Sequence, residues 1–249
     1  MVKGSIKTDR TAETLTNCEG YPFKIVEYRS CKSCDVQFEN GTIIKNKEYA
    51  DLLKGAVKNP YHKSVLGVGY YGVGKYKAKI NDKHTNSYLS WRSMLSRCYD
   101  EKYQEKQPTY IGCTVAEEWY NFQNFAQWFE ENYKSHMEKW ELDKDILCKD
   151  CKIYSPENCC FVPKCINRLL SGTTVSKITP SVGVRKDYNK FNVRVTVDGK
   201  RISIAGFDTE EEASKVYKTY KEAEIKRVAE EWKDKIAENV YQALINYSI

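Results

Sequence analysis

Two alternating runs joined by an Asp-Gly pair, with a helix start directly after them, constrain this 249-residue chain more than any other feature. The runs are VRKDYNKFNVRVTV from Val184 and KRISIAGF from Lys200. In both, apolar and polar residues alternate with the period of a strand, so one face buries while the other meets solvent. Asp198-Gly199 between them is a hairpin dipeptide, able to take positive φ at both turn positions. Thr209 and Glu212 form a capping box, in which Thr accepts the third amide of the helix and Glu reaches back to the amide of Thr209 itself. Ala213, Val216 and Tyr217 follow at helical spacing and predict a helix packed on the back of the sheet. The other face is left with Arg185, Lys190, Arg194 and Arg201, and Lys186 lies beside them. A twisted antiparallel ribbon so charged fits the major groove of duplex DNA. A small α+β domain with solvated arginines would carry the same pattern.

The segment Ser181–Tyr217 also resembles the ethylene-response-factor (APETALA-two) DNA-binding domain of plants, which occurs in phage homing endonucleases. The elements that carry the likeness stand in the family's order. They are Gly183-Val184-Arg185, the aromatic Phe191, Arg194, Asp198-Gly199, and Ala205-Gly206-Phe207-Asp208-Thr209 with Glu211, Glu212 and Ala213. Phe191 stands where the plant proteins have tryptophan, which preserves the packing role. The resemblance implies a three-stranded antiparallel sheet on a long helix over 181–249. Its DNA contacts would come from Arg185, Lys186, Lys190, Arg194 and Arg201.

Residues 88–133 change period. Trp119, Phe122, Phe125, Ala126 and Phe129 fall on one broad helical face, which predicts a core stripe. The strands WELDKDIL and NCCFVP follow, and then a short helix from near Lys164. WRSMLSRCY, PTYIGCTVAEEWYNFQNFAQW and the Pro156-Glu157-Asn158 turn resemble the phage His-Asn-His endonucleases with a ββα-metal core, over 88–170. That resemblance implies a metal-dependent DNA hydrolase, with Asp143 and Asn167 as hard oxygen ligands to Mg²⁺ or another divalent ion. Asn158 would orient the base, and Lys144 occupies the base position itself. The family has histidine there, and flanking aspartates favour the charged form of a lysine. Either metal-bound water works with another base, or catalysis is lost and the chain only binds DNA. His136, seven residues before Asp143, is a substitute base or a plain surface histidine.

The remaining chain reads as a polar tail over 1–20, a small basic β module over 21–80 and a linker over 171–180. Asn40-Gly41 marks a hairpin in the β module. The glycines from Gly67 to Gly74 follow neither a dinucleotide nor a P-loop pattern and read as tight turns. Lys54, Lys58, Lys63, Lys75, Lys77 and Lys79 can add phosphate contacts or form a solvated surface. The fold class expected is α+β in several modules.

Hydrophobic residues are 41% and charged residues 30% of the chain, the balance of a globular protein. No run is apolar enough for a membrane span and no secretory h-region opens the chain, so an intracellular protein is expected, in an infected bacterial host if phage-derived. The net charge of +6 suits a polyanion partner, with a host or phage protein as a further alternative. Ten cysteines in such a compartment point away from a disulfide framework. Cys148, Cys151, Cys159 and Cys165, with Cys160 and the Cys31–Cys34 pair as further thiols, are candidates for a structural Zn²⁺, or else free thiols.

Overall fold

A computed structural model describes residues 9–134, 139–170 and 181–249. The chain is a mixed α+β protein of two compact units, residues 1–88 with 117–125, and residues 89–116 with 126–249. His136 and the linker expected over 171–180 lie outside the described residues.

The first unit is built on a four-stranded antiparallel sheet in sequence order: β1 (Thr14–Thr16), β2 (Pro22–Ser30), β3 (Ser33–Phe38) and β4 (Ile43–Lys47). Phe23, Ile25, Cys34, Val36 and Phe38 alternate inward, and Leu52 of helix α1 (Tyr49–Leu53) closes their core with Val57. The Asn40-Gly41 turn connects β3 to β4, with Gly41 at φ +83°. The stretch before Tyr21, expected as a tail, instead supplies β1, and Asn17 is buried with its Nδ2 on the Val57 carbonyl at 2.9 Å. The reason is tertiary: a short polar strand gains order from β2, which no local pattern announces.

Beyond the sheet, β5 (Lys79–Ile80) and β6 (Lys83–His84) form a hairpin that leads into α2 (Asn86–Tyr99). Residues 117–125 join this unit because Gln123 binds the glycine-rich loop. Its Nε2 donates to the carbonyls of Tyr71 and Tyr76, and its Oε1 accepts the Tyr76 amide. A Cβ on Gly72 would meet Asn121 Oδ1 at 2.1 Å, so glycine is required there for close approach as well as for its φ of +65°.

In the second unit, α3 (Glu101–Lys106) precedes β7 (Thr114–Val115), α4 (Phe122–Asn132) carries the aromatic stripe, and β8 (Trp140–Asp143) begins the central core. β9 (Ile153–Tyr154) pairs parallel with β7. β10 (Cys160–Pro163) pairs antiparallel with β8, and α5 (Lys164–Leu170) follows at once, giving a strand–strand–helix unit. Phe129 and Trp128 pack on Phe161 of β10, with ring centroids 5.1 and 5.2 Å apart.

The last module is the antiparallel sheet β11 (Val184–Asp187), β12 (Lys190–Val197) and β13 (Lys200–Phe207), laid on α6 (Glu210–Trp232). Asp198 and Gly199 take φ of +48° and +71° at the hairpin turn, and the Thr209–Glu212 capping box is formed. Val184, Val193 and Val195 pack on Ala213 and Tyr217. A Cβ on Gly183 would lie 2.1 Å from the Tyr217 ring, so the residue after Val182 must be glycine for helix and sheet to meet. The single long C-terminal helix expected is broken: α7 (Glu238–Ile245) is separate and buries Val240, Tyr241 and Leu244.

Candidate functional site

Two features of the second unit can do chemistry or binding, a charged sheet face and a cleft. Register fixes the first. Arg185 stands opposite Asn192, Arg194 opposite Ser203, and Arg201 opposite Thr196. All of these residues point away from the core face of Val184, Val193 and Val195. Arg185, Arg194 and Arg201 are exposed, and among the described residues none has an ion-pair partner. Lys190 shares this face but is ion-paired with Asp208 at the end of β13. Lys186 does not share it. It stands opposite Phe191 on the helix side, its ammonium 5.6 Å from that ring. At the β11–β12 turn Tyr188 is 94% exposed with a φ of +52°, a conformation tyrosine seldom adopts.

The cleft has a volume of about 220 Å³. Arg97, Asp143, Lys144, Asn167, Tyr110, Tyr154 and Tyr247 all line it. Asp143 ends β8, where its Oδ1 accepts the backbone N–H groups of Asp145 and Ile146 at 2.8 and 2.9 Å. Its Oδ2 takes no hydrogen bond among the described residues. Burial raises the Asp143 pKa, and the two amide bonds oppose that only in part. Lys144 is buried, ion-paired with Asp145, and 6.0 Å from the Tyr154 ring centre. An ammonium donates three hydrogen bonds and accepts none, so in this pair Lys144 is a donor. Asn167 of α5 donates from Nδ2 to Glu141 Oε2 at 2.5 Å.

Arg97 reaches the cleft from α2. Its Nη1 donates to the Leu142 carbonyl and the Tyr154 hydroxyl, both at 3.4 Å, and its buried Nε has no partner among the described residues. Burial pushes the Tyr110, Tyr154 and Tyr247 phenols above their ordinary range, so they stay neutral donors. The cleft therefore combines two cations, neutral hydroxyls and the carboxylates of Asp143 and Asp145, with Asp143 Oδ2 free of hydrogen bonds among the described residues. That set can hold a phosphate, and it offers Asp143 and Asn167 to a hard cation.

Of the residues expected from sequence, Asp143, Lys144 and Asn167 come together here. Asn158 does not line the cleft: its Nδ2 turns to the Ile153 carbonyl at 3.3 Å, within its own turn. Cys148 and Cys151 are joined as a disulfide, Cys159 is buried and Cys165 is exposed. Among the described residues no group of three or more His, Cys, Asp or Glu is placed to hold a metal. Arg97, Glu141 and Tyr154 were not singled out from the sequence. The one hint for Arg97 is that it lies between the buried Leu95 and Cys98, at the edge of an apolar helical stripe.

Compared with family models, curated proteins and solved structures, the chain gives no match. Among the described residues no helix is long and apolar enough to cross a membrane.

Proposed function

We propose that this chain is a sequence-specific duplex-DNA-binding protein that meets the major groove with the outer face of β11–β13. One observation carries the reading: three exposed arginines without ion-pair partners share one face of a sheet whose other face is closed by a helix. Planar guanidinium groups suit bidentate contact to guanine and to phosphate. A rigid sheet held from behind supplies them at little ordering cost. The test is binding of the full chain to random duplexes, with selection of the tightest sequences. An enriched motif and affinity that falls steeply with salt support the reading. No binding at 50 mM salt would overturn it.

A second reading, hydrolysis of a phosphodiester by the same protein, is favoured by the partner-free Asp143 oxygen beside Asn167, Arg97 and Lys144. Asp143 and Asn167 would hold a divalent ion such as Mg²⁺, which supplies Lewis-acid polarisation of the phosphate when bound. Arg97 and the Tyr154 hydroxyl would orient the phosphate oxygens, and Lys144 would offset their charge. No imidazole lines the cleft among the described residues, so the proton acceptor is the missing part. Incubation of duplex DNA with the protein and Mg²⁺ or Mn²⁺ separates a nuclease from a protein that only binds.

A further inference from the structure

The first unit carries a charge that neither the sheet face nor the cleft uses. Between Leu52 and Tyr88 stand seven lysines against Asp82 alone, a net charge of +6 that equals the formal charge of the whole chain. Four of these lysines fall at 75–83, on and beside the β5–β6 hairpin.

That hairpin has a defined turn and ladder. Asn81 and Asp82 form its two-residue turn with φ of +48° and +60°, the left-handed pair that suits a tight hairpin. Lys79 pairs with His84 and Ile80 with Lys83. Thr85 extends the ladder, its N–H on the Ala78 carbonyl and its hydroxyl on the Lys77 carbonyl, both at 3.1 Å. The same hydroxyl accepts the Tyr88 amide at 3.3 Å in the first turn of α2. Behind this, the His84 ring stacks on Tyr88 at 4.6 Å and Tyr88 stacks on Tyr71 at 6.1 Å. Tyr88 itself is buried edge-on to Phe122. The projection is thus fixed to the core at its base, while Lys77, Lys79, Ile80 and Lys83 at its end are exposed. Among the described residues Lys77, Lys79 and Lys83 have no ion-pair partner.

We infer that the β5–β6 hairpin is a second, sequence-independent nucleic-acid contact that straddles the backbone of duplex DNA. Lys77, Lys79 and Lys83 meet phosphates, and Ile80 sits against the groove. Register and alternation place Lys77 and Lys79 on one face of the ribbon and Lys83 with Ile80 on the other, so it offers cations to phosphates on both of its sides. An isoleucine 57% exposed at such a tip has the character of the apolar wedges that enter minor grooves. Lysine, a point charge without planar geometry, gives affinity without base discrimination. The division of labour follows, with the lysine hairpin holding and the arginine sheet reading.

This inference rests on the proposed DNA-binding reading, and the experiment keeps the two apart. The full chain and a Lys77→Gln/Lys79→Gln/Lys83→Gln variant are titrated with several unrelated 30-base-pair duplexes between 50 and 200 mM salt. The triple variant should bind every duplex more weakly, and its plot of log affinity against log salt should be shallower by up to about 2.7. Ile80→Ser should weaken binding with the slope unchanged. All four substitutions are at exposed positions, and an unaltered melting temperature confirms that the fold persists. If the wild type binds duplexes but the triple variant has the same affinity and slope, the hairpin inference is overturned and the sheet reading stands. If the wild type binds no duplex, the sheet reading fails too. Loss of binding to anionic phospholipid vesicles, with duplex binding intact, would assign the hairpin to a membrane surface and overturn the proposal.

Discussion

The carboxylate of Glu224, buried on α6, accepts the backbone N–H of Asp198 at 3.0 Å and thereby ties the β12–β13 turn to the helix beneath it. Arg227, one turn on, donates to both oxygens of that carboxylate at 2.8 and 2.9 Å. One buried acid thus fixes the hairpin that carries Arg194 and Arg201.

Glu224→Ala is therefore expected to destabilise the C-terminal module by about 1–3 kcal/mol, the loss of hydrogen bonds to a buried charged group, while its partners Arg227 and the Asp198 amide are left to water. The Arg227 hydrogen bonds, helped by the Asp198 amide, lower the Glu224 pKa despite burial. A depressed folded-state pKa contributes stability above the unfolded value, and that contribution is lost as pH falls through the folded value. Chemical denaturation at successive pH values should show wild type losing stability below about pH 4.5 and Glu224→Gln losing less. Parallel pH curves would remove Glu224 from the account.

The thiols give a second expectation. Burial pushes Cys98 and Cys159 up to about 12, so their reactive thiolate forms are negligible near neutral pH. Cys18, Cys31 and Cys165 are exposed. An alkylating reagent at pH 8 should label those three quickly and Cys98, Cys159 and Cys160 only on unfolding. With Cys148 and Cys151 joined, the unreduced, unfolded chain should titrate eight thiols of its ten cysteines. Ten thiols with one bound zinc would restore the thiolate-zinc expectation.

What the sequence made legible was local. The alternation from Val184 to Phe207, the Asp198-Gly199 turn and the Thr209–Glu212 cap are each complete within a few residues, and each stands in the structure. Lys186 follows Arg185 in the chain but stands on the helix side, because successive strand residues point to opposite faces. The cleft was half legible. Asp143 and Asn167 belong to a recognisable order of residues, but Arg97 reaches the Leu142 carbonyl from 45 positions away, a distance no pattern encodes. The break between α6 and α7 has no glycine or proline to mark it. It is set by tertiary burial of Ile236, Val240, Tyr241 and Leu244, which overrides helix propensity. The disulfide escaped because cysteine spacing alone suits a metal and a bridge equally well.

The two faces of the C-terminal sheet separate the arginine and lysine contributions. Arg194→Ala should cost about 1–3 kcal/mol for the preferred duplex and much less for a scrambled one, because a base-edge contact is lost. Lys186→Ala, on the helix side of the sheet, should leave that preference intact. Competition binding with both duplexes measures the difference. Equal losses for the two variants on the two duplexes would mean that the outer face does not read sequence.

The last expectation concerns the cleft. If it hydrolyses DNA, Asp143→Ala should abolish cleavage while DNA affinity changes little, since the proposed DNA contacts lie on the exposed cationic faces and Asp143 offers the cleft a carboxylate oxygen without a hydrogen bond among the described residues. Asn167→Ala should act likewise. Asn158→Ala should have little effect, because its amide is turned to the Ile153 carbonyl. Lys144 is the sharper probe. Paired with Asp145, it is a hydrogen-bond donor, and among the described residues no imidazole lines the cleft beside it. Lys144→His introduces an imidazole at the same place, and the rate should rise by up to the roughly 10²–10⁴-fold of a positioned general base. The measurement is single-turnover cleavage of the selected duplex with Mg²⁺ or Mn²⁺, with binding measured in parallel. A Lys144→Ala variant as active as wild type would show that the lysine is neither base nor phosphate clamp. If wild type and Lys144→His both bind the duplex and leave it intact, the hydrolytic reading fails and the DNA-binding reading stands alone.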